Sequence, residues 1–279
     1  TLSLHDALPI YNLFREKLAY PLRMEAFAQP WLNQEEEPYE HKLSLRFSIY
    51  SEIELPKVSL ALENGEDTLV FFNGEQMAGK RTGWYTDREI DVIELSQLRK
   101  GENVLITEIP YNSKRNVEAM YLLGDFGVRA QGSSAVVISP VTSLYFGDIT
   151  RQGLPFYGGN VTYNITVNTE EAFLALEATM FRNPVLKAAI DGKEAGYICY
   201  SPYRLELGKA DAGIHRIDLT AFGNRVNTFG TIHNCNRTED WIGPNAWRTE
   251  GSSWAYEYQL RETGLLKAPV LTKRNVIIK

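Results

Sequence analysis

Residues 68–74 have the sequence Thr-Leu-Val-Phe-Phe-Asn-Gly, an apolar run that stops at an Asn-Gly pair. Tight hairpin turns prefer this pair because both central residues of the turn need positive φ. Upstream, Leu43, Leu45, Phe47 and Ile49 alternate with polar residues, which is the period of a half-buried strand. The region therefore predicts β-strands joined by short turns.

The second half of the chain repeats this pattern. Apolar residues alternate through residues 160–167, and a later apolar run at 185–190 stops at Asp191-Gly192, a second hairpin pair. After each hairpin a short strand and a glycine-containing corner lead into another strand, at residues 91–103 and 204–215. We interpret the repeat as a duplicated antiparallel sandwich. Two unrelated β domains that share generic turns are the alternative.

These patterns predict an all-β chain with two consecutive antiparallel β-sandwich domains. A chain of 279 residues is long enough for two cores. The predicted domains cover residues 39–148 and 149–271, with a boundary in the Gly-rich stretch 148–153. Residues 272–279 are predicted to be a C-terminal tail.

The N-terminal region needs a separate interpretation. Residues 1–10 resemble a widely used sequencing-library adapter translated in frame, so we interpret them as an assembly artefact that has no reason to pack. Residues 11–38 are predicted to be a linker, or a remnant of an upstream domain, because an acidic run precedes Pro38. On this interpretation the true N-terminus is absent, and the sequence leaves open a cytoplasmic or a secreted or periplasmic location.

Composition argues against several classes of partner. The net charge of −6 and the pI near 5.4 disfavour nucleic acid and anionic membranes, which need a basic surface. No apolar run approaches the roughly 18 residues of a membrane span. Cys199 and Cys235 are too few for a disulfide framework and lack zinc spacing, which leaves two buried thiols or one bridge.

The sequence contains no recognisable catalytic motif. It lacks a Gly-x-Ser-x-Gly elbow, a phosphate loop, a His-Glu-x-x-His pair and a dinucleotide fingerprint. His41, His215 and His233 are each isolated from other ligand types at ligand spacing, so neither a metal nor a cofactor is predicted. We therefore assign no catalytic residue and expect no turnover by this chain alone.

Aromatic, amide and guanidinium side chains concentrate in segments that do not alternate. Aromatic rings stack on the C–H faces of sugars, while carboxylates, amides and guanidinium groups bind adjacent hydroxyls. We expect loops rather than sheet faces to make such contacts, because alternation commits the strands to core and solvent. The candidate glycan-binding residues are Trp84, Tyr85, Asp87, Arg115, Tyr157, Tyr203, His233, Asn234, Trp241 and Trp247. Phe156, Phe229 and Trp254 are instead predicted to anchor the core or loops.

Two sets of segments resemble known families. Phe71-Phe-Asn-Gly74, Leu98-Arg-Lys-Gly-Glu-Asn103 and the segment 120–127 are similar to the galactose-binding-like jelly rolls of large glycoside hydrolases, the family two sugar-binding domain. Residues 147–267 resemble a partner module of bacterial carbohydrate-degrading proteins, through segments 153–159, 197–203, 222–230 and 241–244.

The resemblance implies accessory modules that bind or position a glycan. It also implies that the catalytic acid and base lie in a missing upstream domain. The expected partners of this chain are therefore a glycan and that catalytic domain. Two alternatives stay open: sandwiches that only pack on that catalytic domain, and a hydrolase site built from loop carboxylates. Exposed rings favour binding, buried rings favour a structural role, and carboxylates that converge in a cleft favour the hydrolase.

Overall fold

The computed structural model of the chain describes residues 1–4, 13–21, 37–236, 238 and 251–275. Nearly all regular structure in these residues is β-strand, which confirms the predicted all-β class. Both hairpin turns form with positive φ at both positions, 52° and 86° at Asn73 and Gly74 and 49° and 77° at Asp191 and Gly192.

The chain folds as two compact units, and each unit is built from three separate stretches of the sequence. Unit 1 comprises Thr1–Val141, Gly153–Phe156 and Phe229–Leu260, and unit 2 comprises Thr142–Gln152, Tyr157–Thr228 and Arg261–Lys279. The domain bounds from the sequence stay a prediction. The units of the structure differ from the predicted domain bounds because the chain returns to unit 1 at Phe229, instead of passing only once from unit 1 to unit 2.

Unit 1 is a sandwich of two sheets. Its strands are β1 (Leu2–Leu4), β2 (His41–Ser51), β3 (Ser59–Glu63), β4 (Leu69–Phe72), β5 (Glu75–Gln76), β6 (Arg81–Tyr85), β7 (Asp87–Glu94), β8 (Gly101–Tyr111), β9 (Met120–Leu123), β10 (Gly127–Gln131) and β11 (Ser134–Ile138). The sheet orders are β1-β9-β3-β7-β6 and β10-β11-β2-β8-β4-β5. The pairs are antiparallel except β11 with β2, which run parallel.

The core of unit 1 follows from the alternation in its strands. Leu43, Leu45 and Ile49 are the buried residues predicted from the pattern in β2, and Leu60 and Leu62 enter the same core from β3 in the other sheet. Burial of each such side chain contributes about 1.5–3 kcal/mol before conformational entropy is subtracted.

Unit 2 is a smaller sandwich. Its elements are a 3-10 turn (Ile149–Gln152) and strands β12 (Val161–Thr169), β13 (Ala172–Glu177), β14 (Leu186–Ile190), β15 (Lys193–Ile198), β16 (Arg204–Ala210), β17 (Gly213–Ala221) and β18 (Val270–Asn275). The sheet orders are β12-β17-β14-β15 and β16-β13-β18, all antiparallel. Leu174, Leu186 and Leu219 are fully buried in the core that both sheets contribute to.

The two units share one strand order. In unit 1 the strands β2-β8-β4-β5 form part of one sheet and β9-β3-β7 part of the other. In unit 2 the strands β12-β17-β14-β15 and β18-β13-β16 occupy the same places in the same chain order. Strands β1, β6, β10 and β11 are additions to unit 1. The repeated pattern in the sequence therefore corresponds to a repeated topology.

Side-chain contacts fix the hairpin turn of unit 2. In unit 2, His215 Nδ1 lies 2.6 Å from Asp191 Oδ2, and Asp191 Oδ1 accepts the Arg216 N–H at 2.9 Å. The hydrogen bond to Asp191 and the Asp211 carbonyl raise the pKa of His215, and the same contact lowers the pKa of Asp191. His215 is thus a structural residue that ties β17 to the β14–β15 turn.

Parts of the N- and C-terminal segments have regular structure that the sequence analysis does not predict. Residues 1–4 pack: Leu2 and Leu4 are buried, and β1 pairs with β9, because an open strand edge accepts any alternating segment. Residues 13–17 are helical and Arg15 is buried, so residues 13–21 are not a free linker. Residues 272–275 belong to β18, because Leu271 packs on the core of unit 2 and draws the tail into the sheet.

Two further features concern the cysteines and membrane insertion. Cys199 is exposed and Cys235 half-buried, and both are free thiols, so neither the bridge nor the pair of buried thiols forms. Within the described ranges, the helical residues are too few and too polar to cross a bilayer.

Candidate functional site

The loop between β8 and β9 in unit 1 is held in a fixed shape by Asn112. Its Oδ1 accepts the backbone N–H groups of Lys114 and Arg115 at 3.1 and 2.8 Å, an Asx-type turn. Its Nδ2 donates to the Glu37 carbonyl at 2.8 Å, and the Ser113 hydroxyl donates to the Glu37 carboxylate at 2.6 Å. Residues 37–40 are thereby held beside this loop.

Arg115 forms the centre of the candidate site. Its side chain is only 7% exposed, and Nη1 donates to the Asp67 carboxylate and to the Tyr39 hydroxyl, both at 3.1 Å. The guanidinium lies 5.6 Å from the centroid of the Tyr39 ring. A buried guanidinium is stable only when its charge is paired, so these contacts fix Arg115 and orient Tyr39. The Tyr39 ring itself is 50% exposed.

A small pocket opens beside Arg115. Its volume is about 10 Å³, close to the space that one water-sized group occupies. Leu62, Ile109, Val117 and Met120 supply its apolar wall. The polar lining residues are Glu63, Asn64, Thr68, Arg115, Asn116 and Glu118. The Asn116 amide donates to the Glu118 carboxylate, so these two groups are oriented together.

Tyr121 on β9 lies near the same carboxylates. Burial raises the pKa of its hydroxyl far above the usual range, and the negative charge of Glu118, then Tyr85 and Glu63, raises it further. The hydroxyl therefore stays protonated. The centroid of its ring lies 5.5 Å from that of Tyr85 and 5.1 Å from that of Phe229. These rings belong to a cluster that covers the outer face of β3 and β9.

This arrangement can bind a group that is rich in hydroxyls. The pocket accepts one hydroxyl-sized group, and carboxylates, an amide and a guanidinium surround it as acceptors and donors. The half-exposed Tyr39 ring beside them provides a flat face for stacking. Ligand sites commonly combine apolar walls with a few convergent polar groups.

Among the residues predicted for unit 1, the structure places only Arg115 in this pocket. Trp84 is 56% exposed on β6, opposite Asp91. Tyr85 is half-buried in the ring cluster with Tyr121 and Phe229, so it serves packing. Asp87 is exposed and its carboxylate accepts the Glu89 N–H at 3.0 Å, which shapes the turn into β7.

His233 and Asn234 have mainly structural contacts. His233 is buried with its ring 4.8 Å from that of Trp254 and 5.2 Å from that of Tyr258, and its Nδ1 lies 3.0 Å from the Ala255 carbonyl. The Asn234 side chain accepts the Asn236 N–H at 2.8 Å. The rings of Trp254 and Tyr258 thus cover His233, and its role in ligand binding stays a prediction.

Tyr157 and Tyr203, the described candidates in unit 2, contact different residues. Tyr157 is 37% exposed, and its hydroxyl donates to the Asn160 carbonyl at 3.2 Å. Tyr203 is half-buried and packs edge-on against Phe181 at 5.7 Å. Trp241 and Trp247 lie outside the described residues. The prediction that Phe156 is a core residue is confirmed, since it is fully buried in unit 1.

Several residues of the candidate site, in the pocket or in contact with Arg115, carry no local signal in the sequence. Tyr39 and Asp67 reach Arg115 from 76 and 48 positions away in the chain. Asn116 and Glu118 adjoin Arg115 in sequence, and their position after a strand end could have suggested them. Glu63 ends a strand whose pattern indicates only burial.

No cluster of three or more His, Cys, Asp or Glu side chains with the geometry of a metal site occurs in the parts of the chain that the structure covers.

Comparison with known proteins includes a distant structural likeness. No family model and no curated protein matches the chain. Among solved structures, a rhamnosidase from Novosphingobium sp. PP1Y matches with a TM-score of 0.30 and 15% sequence identity, over 82% of this chain and 22% of the rhamnosidase. The chain thus spans about a fifth of that protein, and a likeness this distant carries no argument about function.

Proposed function

We propose that the chain is a pair of accessory β-sandwich modules of a carbohydrate-active enzyme, and that unit 1 binds a glycan at the Arg115 pocket. One observation carries the proposal: a buried, paired guanidinium orients a half-exposed tyrosine ring beside a pocket of hydroxyl size. The link to a glycoside hydrolase, with its catalytic domain elsewhere, rests on the resemblance in the sequence.

The chemistry of the pocket supports a sugar over other small ligands. A sugar ring is too large for a 10 Å³ cavity, so it would lie over the mouth and insert one hydroxyl. Glu118 and Glu63 would accept hydrogen bonds from adjacent hydroxyls, and Asn116 and Arg115 would donate. Tyr39 would then stack on the C–H face of the ring.

Replacing Tyr39 by Ala should weaken glycan binding roughly fivefold, because an exposed ring contact contributes about 1 kcal/mol. Titration calorimetry of the purified chain with neutral oligosaccharides would measure the change. Tyr39→Phe should lose less, because the stacking face remains. Tyr50→Ala is the matched control, since Tyr50 is similarly exposed at the opposite end of β2. Equal affinities for Tyr39→Ala and the parent would contradict the proposal.

A hydrolase is the second candidate, and one observation favours it. Glu63 and Glu118 line the same pocket, and glycoside hydrolysis needs two carboxyl groups on either side of the scissile bond. The proposed accessory role instead predicts no release of product from a panel of aryl glycosides. Turnover by the chain that Glu118→Gln abolishes would contradict the accessory role and establish the hydrolase.

A further inference from the structure

The outward face of the sheet β12-β17-β14-β15 in unit 2 carries a continuous set of polar side chains, here called the polar face. Pairing register places Tyr197, Lys187, Thr220 and Thr162 in one row across the four strands. The adjacent row contains Glu194, Ala189, Asp218 and Asn164. Strands lie about 4.8 Å apart, so each row spans about 14 Å.

Hydrogen bonds hold these side chains in place. The Thr162 and Thr220 hydroxyls lie 2.9 Å apart, and the Asn164 amide donates to Asp218 at 2.7 Å. Arg216 Nε also donates to Asp218 at 2.7 Å, and both bonds to this carboxylate use Oδ1. A carboxylate accepts about four hydrogen bonds, so Oδ2 retains capacity for a ligand.

One aromatic ring stands at the end of the first row. Tyr197 is 48% exposed, and the Lys187 ammonium lies 5.9 Å from its centroid. Lys187 pairs with Glu194 at 2.6 Å, and hydrogen bonds from Lys187 and Tyr197 lower the pKa of Glu194. The ring is therefore oriented by its neighbours.

The charges of the polar face cancel. Lys187 and Arg216 are positive and Glu194 and Asp218 are negative, and each cation contacts one of the anions. A nucleic acid or an acidic polymer would need an excess of positive charge. A protein partner would need a buried apolar centre, and the two rows contain Tyr197 and Ala189 as their only apolar side chains. A neutral, hydroxyl-rich chain matches both the charge balance and the dense array of donors and acceptors.

We infer that the polar face of unit 2 is a second glycan-binding site, which takes a neutral oligosaccharide stacked on Tyr197 and hydrogen-bonded along the two rows. A site on a sheet face differs from the expectation that loops alone make the glycan contacts. It rests on the same ligand class as the proposed function of unit 1, but on different residues. The length of the rows exceeds one sugar ring, so the site favours oligosaccharides over monosaccharides.

Affinity electrophoresis in native gels would test this site, with arabinoxylan, galactomannan and mixed-linkage β-glucan as neutral probes. We expect at least one polymer to retard the full chain, and Tyr197→Ala to weaken that retardation roughly fivefold. Asp218→Asn should weaken it as well. Tyr200→Ala is the control, because Tyr200 is 78% exposed but lies outside both rows.

Each outcome separates the two sites. Weaker retardation in Tyr197→Ala with Tyr39→Ala unchanged would support the polar face and contradict the pocket of unit 1. Retardation equal to the parent in both Tyr197→Ala and Asp218→Asn would overturn the polar face, while a loss in Tyr39→Ala would still support the pocket. A parent that none of the three polymers retards would contradict both sites.

Discussion

Replacing Phe72 by Ala should lower the free energy of unfolding of unit 1 by about 3–5 kcal/mol. Phe72 is fully buried at the end of β4, opposite Leu105 on β8, in the core between the two sheets. Truncation removes the transfer energy of the ring and leaves a cavity that rigid sheets fill poorly. Urea unfolding followed by tryptophan fluorescence would measure the loss.

The neighbouring residue provides the control. Phe71 has the same side chain but points to the opposite face of β4 and is only half-buried, so Phe71→Ala should cost about 1 kcal/mol. Equal losses for the two variants would contradict the assignment of faces in this strand.

Replacing Asn103 by Ala should destabilise unit 1 by about 2–4 kcal/mol. Asn103 is fully buried, and its Oδ1 accepts the Arg99 N–H at 2.8 Å and the Asn73 amide at 2.9 Å. Its Nδ2 donates to the Arg99 carbonyl at 2.7 Å. The substitution removes the hydrogen-bond partner of several groups at a part-buried site, and a buried group left unsatisfied costs more than its hydrogen bond contributes.

An exposed asparagine on a strand serves as the matched control. Asn168 on β12 is exposed, so Asn168→Ala should change stability by less than about 0.5 kcal/mol. Thermal unfolding of the two variants beside the parent would measure both effects. A melting temperature for Asn103→Ala equal to that of Asn168→Ala would show that the amide does not tie the Asn73-Gly74 hairpin to the 99–103 turn.

The sequence predicted those parts of the fold that depend on local chemistry. Asn73-Gly74 and Asp191-Gly192 marked both hairpins because positive φ is a property of the residues themselves. The alternation in β2 and β12 identified the buried faces. The strand patterns and hairpin pairs recur in the same order in both halves of the sequence, and both units have the same strand topology.

The remaining features depend on contacts between distant segments. The return of residues 229–236 to unit 1 follows from Ile232 entering its core, which no local pattern indicates. The strand β1 forms because β9 offers an open edge, and the tail becomes β18 because β13 has one too. Such pairings depend on the edges that the rest of the fold leaves open.

The candidate site shows the same division. Arg115 was predicted from its loop, but Tyr39 and Asp67 were not, because the fold alone brings them to the guanidinium. Tyr85 and His233 had the right chemistry for a ligand, and the structure uses their rings for packing. Residue type predicts what a side chain can do, while exposure decides whether it does so.

Hydrogen–deuterium exchange with and without a neutral oligosaccharide would show directly whether unit 1 binds a glycan at the Arg115 pocket. We expect slower exchange in residues 112–118 and 37–40 when the oligosaccharide is present, because the ligand covers the Arg115 pocket and the Tyr39 ring. Exchange in these two segments that the saturating oligosaccharide leaves unchanged would contradict a glycan site in unit 1.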